Sequence, residues 1–353
     1  MQTLNVIKCG EDGRTAPLLE RLGERAGLRL LDPEGFSRPA CAGDRLLFLV
    51  SVDALGADER FTGLLRGIRA SGDSLRGFTA GVIMLGSTEL DTKELARQLI
   101  FALDTAGCAF PERPLLEATG SMRNLRTIRR TQGLGSYEEA LAFAALGLAE
   151  RLLSYEPTYY ESPRLLVLHA SDRPTSNTLA IGDLVLAALD ERFSVSVTSL
   201  RNGTIEDCRG CPYKVCSHFA AKGSCFYGGS ISQEVIPAVQ NCDALLLLLP
   251  NYNDAVGANM MAFINRLTGL HVSGGLNGQR LFAVIVSGYS GGDIVARQAM
   301  GALCLNKGFI LPPGFCLMET ANDPGEAAAL PGIGERAKAF ADAMGREMLG
   351  PKM

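Results

Sequence analysis

The chain has 353 residues, room for about two compact domains at roughly 150 residues each. Its 34 Lys and Arg against 38 Asp and Glu give a net charge of −4 without any basic run, which argues against a nucleic-acid partner. Apolar residues make up 47% and charged residues 20%, which excludes a mostly disordered chain. The longest apolar run, Ala140 to Leu146, is too short to cross a bilayer, so no membrane partner is expected. No basic start leads into an apolar stretch at the N-terminus, so no signal peptide is expected and the expected address is the cytoplasm.

Short β-rich runs alternate with helical stretches from the start of the chain. In the first half, strands are expected at Leu4–Cys9, Leu28–Asp32, Arg45–Val52, Gly77–Leu85 and Pro114–Ala118. Helices are expected at Arg14–Ala26, Glu59–Ala70, Asp91–Ala106 and, closing the unit, Leu141–Tyr155. In the second half, strands are expected at Arg164–His169, Phe193–Leu200, Asp243–Leu249, Leu281–Ser287 and Phe309–Cys316. Between them fall helices at Ser176–Leu189, Ser232–Gln240, Asn259–Leu267 and Asp293–Asn306, with a polar exit loop from Cys316 to Gly325. Unbroken Leu/Val/Ile runs mark strands covered on both faces, hence a doubly wound parallel sheet. The halves also share sequence about 200 residues apart: ARQLIFAL from Ala96 pairs with ARQAMGAL from Ala296, and Ala54–Asp58 with Ala255–Asn259. Two matches in register favour an internal duplication: a domain at 1–155, a linker at 156–163 and a second domain at 164–353.

Three loops of the second half then fall at one edge of its sheet. The segment Ser171-Asp172-Arg173-Pro174-Thr175-Ser176-Asn177-Thr178 runs from a strand end into a helix start, where free N–H groups and the helix dipole suit a phosphate. An ordinary capped helix would read the same way. Neither G-x-G-x-x-G nor G-x-x-x-x-G-K-[ST] is present there, which disfavours a dinucleotide or triphosphate grip. Pro250-Asn251-Tyr252-Asn253 follows the third strand, and Ser287-Gly288-Tyr289-Ser290-Gly291-Gly292 the fourth. In a doubly wound sheet these edges flank the switch point where ligands bind. A tyrosine and a run of glycines suit a flat ring, although either loop alone could be a plain turn.

Four of the ten cysteines crowd together as C-x2-C-x4-C-x8-C at Cys208, Cys211, Cys216 and Cys225, inside a loop spanning 207–229. In a reducing compartment such crowding points to metal or redox chemistry before disulfides. The set could hold a [4Fe–4S] cluster or a zinc ion, or it could consist of packed, free or redox-active thiols. Arg209, Lys214, His218 and Lys222 lie among them and would favour thiolates. The remaining cysteines sit in apolar surroundings and read as core. With three histidines in the chain, a His-rich metal or triad site is disfavoured; His169, ending a strand beside the first loop, could border a ligand.

Residues 160–320 resemble the NADPH-dependent FMN reductase family of the flavodoxin-like fold, including its iron–sulfur flavoprotein branch. The resemblance rests on S-x4-S-N-T at Ser171, Ser176, Asn177 and Thr178, on D-x-φ5-P-x-Y from Asp243 to Tyr252, on the cysteine cluster and on M-x-F-I-x-R from Met261 to Arg266. It implies that Ser171, Arg173, Ser176, Asn177 and Thr178 hold the FMN phosphate. Pro250, Asn251, Tyr252 and Asn253 would line the isoalloxazine ring, with Ser287, Tyr289, Gly291 and Gly292 on its other edge. The cysteine spacing is looser than in the iron–sulfur branch, His169-Ala170 replaces a common Gly-Ser, and Asn265 replaces the usual acid before Arg266.

The expectation is therefore two tandem flavodoxin-like α/β domains, the second carrying FMN and a Cys-rich insertion. The implied activity is an NAD(P)H oxidoreductase passing electrons through FMN to a small acceptor such as a quinone or flavin, or to an Fe–S cluster, in a homodimer. Two alternatives stand beside it: a non-enzymatic FMN/Fe–S electron carrier, and a flavin-free scaffold with a zinc loop. The first domain carries Glu11 and Asp12 where phosphate would sit and Ser51-Val52-Asp53 in place of Pro-x-Tyr, so it is expected to lack flavin.

Overall fold

A computed structural model describes residues 2–31, 33, 45–171, 175–201, 205–221, 225–272, 274–276 and 278–351. They form two compact units, divided after Glu156. The first contains strands β1 (Thr3–Cys9), β2 (Gly27–Leu31), β3 (Arg45–Val52), β4 (Thr79–Gly86) and β5 (Leu115–Ala118). Its helices are α1 (Thr15–Gly23), α2 (Glu59–Ala70), α3 (Thr92–Thr105), α4 (Arg126–Thr131) and α5 (Tyr137–Ser154). The second contains β6 (Arg164–His169), β7 (Ser194–Ser199), β8 (Ala244–Pro250), β9 (Arg280–Ser287) and β10 (Cys316–Thr320). Its helices are α6 (Asn177–Ala187), α7 (Tyr213–Ala220), α8 (Ile236–Asn241), α9 (Ala258–Arg266), α10 (Thr268–Val272), α11 (Gly292–Met300) and α12 (Ile333–Leu349).

Each unit has one five-stranded sheet, ordered β2-β1-β3-β4-β5 in the first and β7-β6-β8-β9-β10 in the second. All eight strand pairings are parallel. The two orders are the same doubly wound pattern, with the switch point between the first and third strands of each unit. The sequence dictates this arrangement through burial: β4 and β9 are buried at every position, so helices must cover both faces. On one face of the second sheet α12 supplies Ala337, Phe340, Ala341, Met344 and Met348, and Phe340 meets Phe282 edge to face with centroids 6.3 Å apart. The hairpin pairing Tyr252 with Ala255 has its counterpart in the first unit, where Asp53 pairs with Gly56. The internal repeat is thus structural as well as sequential.

One strand differs from expectation. The run Phe309–Cys316 is not a strand; Ile310 makes a single bridge to Arg280, and β10 begins only at Cys316. Two consecutive prolines, Pro312 and Pro313, deprive that run of backbone donors, so pairing waits until they are passed. The segment expected as an exit loop therefore supplies the last strand. Helices α4, α7, α10 and α12 were not anticipated, and no helix among the described residues is long and apolar enough to cross a membrane.

Helix α6 lies unusually close to the sheet because Gly182 faces β8. A Cβ at this position would fall 2.7 Å from Leu248 Cδ1, and Leu248 is itself buried in the core. Replacing Gly182 with Val is expected to destabilise the second unit by about 1–3 kcal/mol through overpacking, read as a lower midpoint in denaturant unfolding.

Candidate functional site at the carboxyl edge of the second sheet

The carboxyl ends of β6, β8, β9 and β10 carry the loops singled out by the sequence, and the structure shows how they are tied. After β6, Ser171 is half-buried; Asp172, Arg173 and Pro174 lie outside the described residues, so the expectation for Arg173 is not addressed. Ser176 is the N-cap of α6, its hydroxyl accepting from Leu179 N–H at 3.3 Å, and Thr178 is buried one turn in. Thr175 is exposed at the same helix start. The free N–H groups and dipole of this helix end face the carboxyl side of the sheet.

Asn177 does something the sequence did not announce. Its amide donates to the carbonyls of Asp323 at 2.9 Å and Ala321 at 3.3 Å, and its oxygen accepts from Ala327 N–H at 3.1 Å. The side chain is thereby spent on holding the segment after β10 against α6. Glu326 completes that segment by accepting from Asn322 N–H at 2.7 Å and Asp323 N–H at 2.9 Å, and these bonds hold its carboxyl below the usual carboxylate range. Gly288 fits against the same segment, since a Cβ there would lie 2.8 Å from Asn322 Oδ1.

The loops after β8 and β9 are tied by Asn251. Its amide nitrogen donates to Ser290 O at 2.9 Å, Ser287 Oγ at 3.1 Å and Asp254 Oδ1 at 3.3 Å. Asn253 and Asp254 both take left-handed backbone conformations (φ 53° and 56°), the geometry of a tight two-residue hairpin turn between Tyr252 and Ala255. Gly291, at φ 84°, must be glycine for two reasons: its backbone is left-handed, and a Cβ would collide with Asp254 Oδ1. Gly292 starts α11 beside Ser287 and Met318. Tyr252 and Tyr289 stand out into solvent, 63% and 87% exposed, so two aromatic rings flank a polar, glycine-lined edge.

Whether FMN suits these residues can be judged from atoms left without partners. Asn251 Oδ1, His169 Nδ1 and Ser199 Oγ are buried at this edge of the sheet and have no hydrogen-bond partner among the described residues. An unpaired buried polar group costs about 1–3 kcal/mol, so such a set is retained where a ligand supplies the partners. The donor set, the close backbone approach at the glycines and the capped helix start fit a phosphate-bearing planar cofactor. Asp254, Ser290, Asn322 and Met318 belong to this edge as well. Met318 and Asn322 fall in the exit segment Cys316–Gly325, which the sequence marks as a possible cap on the ligand face without singling out either residue, whereas Asp254 could have been found from the Asn-Asp hairpin pattern.

The cysteine loop gives a different result. Cys208, Cys211, Cys216 and Cys225 all line one cavity of about 290 Å³, together with Phe219, Phe226, Tyr227 and Arg266. Among the described residues no group of three or more His, Cys, Asp or Glu is placed to hold a metal ion. As it stands, the expected metal set is the lining of a cavity and not a coordination sphere. The basic neighbours do not favour thiolate at Cys216 either: burial and the nearby thiols of Cys208, Cys211 and Cys225 push its pKa up. Arg209 is turned onto the Tyr227 ring at 4.6 Å, and Lys222 lies outside the described residues. Asn265, the departure noted before Arg266, donates to Asp207 Oδ1 at 3.0 Å and so anchors the loop. Arg266 is buried, donating to Gly228 O at 2.5 Å and Ser232 Oγ at 2.6 Å.

In the first unit the corresponding edge is finished differently. A Cβ on Gly10 would lie 2.6 Å from Ser51 O, one step past the Cys9–Val50 pair of β1 and β3. Arg14 pairs with Asp12 at 2.6 Å and donates to Gly86 O at 2.8 Å and Thr119 O at 3.1 Å, across the strand ends. Glu11 is paired with Lys8 at 2.7 Å. The acids expected to repel phosphate are therefore already paired with cations of their own unit.

Residues 163–323 match the family model described as NADPH-dependent FMN reductase. No curated protein matches the chain. Similar solved structures include an NAD(P)H:quinone oxidoreductase from Methanothermobacter marburgensis, 14% identical over 52% of this chain and 97% of that one, with a TM-score of 0.39. An FMN-dependent NADH-azoreductase from Bacillus anthracis is 14% identical over 52% and 98%, with a TM-score of 0.33. The flavoenzyme NAD(P)H:(acceptor) oxidoreductase FerB from Paracoccus denitrificans is 13% identical over 53% and 100%, with a TM-score of 0.32.

The Asn177 clamp can be tested independently of any ligand. Asn177→Ala is expected to cost about 1–3 kcal/mol and to speed amide hydrogen exchange at Ala327, whose N–H it accepts. The second unit thus resembles the NADPH-dependent FMN reductase family by a match over residues 163–323, somewhat under half of the chain.

Proposed function

We propose that the second unit binds FMN at the carboxyl edge of its sheet and acts as an NAD(P)H-dependent oxidoreductase. The single observation that carries this reading is the set of buried, partnerless polar atoms at the switch point, held open by a loop network that the protein makes entirely from its own side chains. Bound FMN would supply the hydride- and electron-accepting ring. The start of α6, capped by Ser176, would take the phosphate, with Thr175 and Ser171 beside it. Asn251 and the glycines at 288, 291 and 292 would meet the ring, and Asn177 would keep the segment after β10 in place beneath it.

Tyr252 and Tyr289 are exposed at the rim and offer faces against which a second planar reactant can stack. On this reading NAD(P)H and then a small acceptor, a quinone or a flavin, approach the same open edge in turn. The first unit, with Arg14 bound to Asp12 and to the carbonyls of Gly86 and Thr119 across its strand ends, has a structural role and takes no flavin. A homodimer in the cytoplasm is part of the proposal, and size-exclusion chromatography with light scattering tests the assembly.

A second reading is favoured by one observation, the four thiols on a single cavity. Here the loop draws its cysteines together around an iron–sulfur cluster or a zinc ion, and the chain is an electron carrier or, without flavin, a scaffold. The absorbance spectrum of anaerobically purified protein decides. Flavin bands near roughly 370 and 450 nm are expected from any bound flavin. A broad shoulder near about 400 nm that bleaches on reduction supports the cluster, and bound zinc without flavin supports the scaffold.

Two outcomes test the main proposal. Flavin is expected at one FMN per chain, and steady NAD(P)H oxidation is expected with quinone or free flavin present; absence of turnover with either nucleotide overturns the enzyme reading, and two FMN per chain overturns the reading of the first unit. Ser176→Asp preserves the helix cap while placing like charge against the phosphate. It is expected to leave folding intact and to lower FMN affinity at least about tenfold, measured by flavin fluorescence titration.

A further inference from the structure

The cavity beside the cysteine loop has a wall of rings and sulfurs. Phe219, Phe226 and Tyr227 follow one another in tilted and edge-to-face contact at 5.2 Å, and the four thiols face the same space. Burial and the neighbouring thiols push the Cys216 pKa up, so its thiol stays protonated and packs as a small apolar group. Charged side chains of both signs also line the cavity, each held by protein partners. Arg266 donates to Glu206 O, Gly228 O and Ser232 Oγ, and Asp207 accepts from Asn265 and from Cys208 N–H. Arg209 lies over the Tyr227 ring and pairs with Glu206 at 3.7 Å. Neither an anion nor a cation is favoured by such a lining.

Size and surface then narrow the occupant. A dry apolar cavity of about 150 Å³ takes a single benzene ring. At about 290 Å³ this one admits a fused pair of rings. Aromatic walls and polarizable sulfurs meet the edge and face of another ring more favourably than an alkyl chain. We propose that the cavity is a binding site for an uncharged, two-ring aromatic molecule. It is separate from the sheet edge described above. Helix α9 starts beside Tyr252, whose ring lies 3.7 Å from a Cβ placed on Gly257, and its nine residues rise about 13 Å before Asn265 and Arg266 reach the cavity. Hydride transfer needs reacting atoms within about 3.5 Å, so the occupant takes no hydride from a flavin at that edge. The proposal therefore does not rest on the FMN reading.

The test uses the full chain, its iron and zinc content measured first. Labelling by N-ethylmaleimide, mapped by mass spectrometry, reports on the cavity through Cys211 and Cys216, with the partly exposed Cys316 outside it as internal reference. 2-Naphthol, uncharged at neutral pH, is expected to slow labelling of Cys211 and Cys216 at least about fivefold at saturation and to leave Cys316 unchanged. Decahydro-2-naphthol keeps the skeleton without aromaticity, and naphthalene-2-sulfonate keeps the rings but adds a charge. Each is expected to need at least about tenfold higher concentration for the same protection. Equal protection by either, or none by 2-naphthol, overturns the proposal. Stoichiometric iron or zinc on the cysteines also overturns it, because the cavity is then already filled. Phe226 is 64% exposed, so its side chain can be removed with little cost to the fold. Phe226→Ala is expected to raise the half-protecting concentration at least about fivefold, and an unchanged value overturns the proposal. Added FMN is expected to leave protection as it is; competition between FMN and 2-naphthol places the ligand at the sheet edge and overturns it too. If the variant folds poorly, the wild-type comparison still refutes.

Discussion

The constraint on which this structure depends is that its central strands are buried on both faces. Every position of β4 and β9 is enclosed, and so are six of the seven positions of β8. A polar group cannot be placed along such a strand without a partner, so chemistry is driven to the strand ends, where chain direction and helix dipoles coincide. In a parallel sheet all carboxyl ends lie together. Loops far apart in sequence, after residues 169, 250, 287 and 320, are thereby gathered at one edge by backbone geometry alone.

What distinguishes the two units is how that edge is finished. In the second, Asn251 bridges two loops through its nitrogen while its oxygen stays unpaired, and Asn177 pins the segment after β10. In the first, Val52 takes the position corresponding to Asn251 and has no polar group to bridge with, and Ser51 stands before it. Gly10 comes directly onto the Ser51 carbonyl, and Arg14 closes the strand ends from the other side with Asp12 as its counter-charge. Thr15 Oγ1 and Ser51 Oγ stay buried and unpaired among the described residues at this edge too, so the units differ in the Asp12–Arg14 pair and not in how fully their polar groups are met.

Legibility in the sequence followed the same division. Strands such as Arg45–Val52 and Arg164–His169 could be read to the residue because a doubly buried strand must be uniformly apolar. Strand β10 could not, because Met318, Glu319 and Thr320 lie at a partly exposed position near the sheet edge and look like a loop. The repeat would have found it: Cys316 stands at Leu115 displaced by the same roughly 200 residues that relate the two ARQ helices. The closing helix α12, the counterpart of α5, was recoverable by the same argument. The site loops were legible as residue types, but the work of each was not. Ser176 as a cap follows from local sequence, whereas the bonds of Asn177 span 144 to 150 positions and exist only once the sheet has formed.

The cysteine loop shows where residue pattern and geometry part. Four thiols within one short segment imply a shared purpose, and the fold does bring them to one cavity. A cavity wall and a coordination sphere nonetheless have different demands. The first needs apolar contacts, supplied here by Phe219, Phe226 and Tyr227, whose rings meet tilted and edge to face at centroid distances of 5.2 Å. The second needs converging, deprotonated sulfurs, and burial works against this by raising the Cys216 thiol. Arg266 sits between the two demands. It is buried beside the thiols, its visible partners are carbonyls and a hydroxyl, and its Nε is unpaired among the described residues. Asp207 lines the same cavity, so both signs of charge face it. The loop is therefore finished as a cavity wall, with Arg266 tying its two ends through the carbonyls of Glu206 and Gly228.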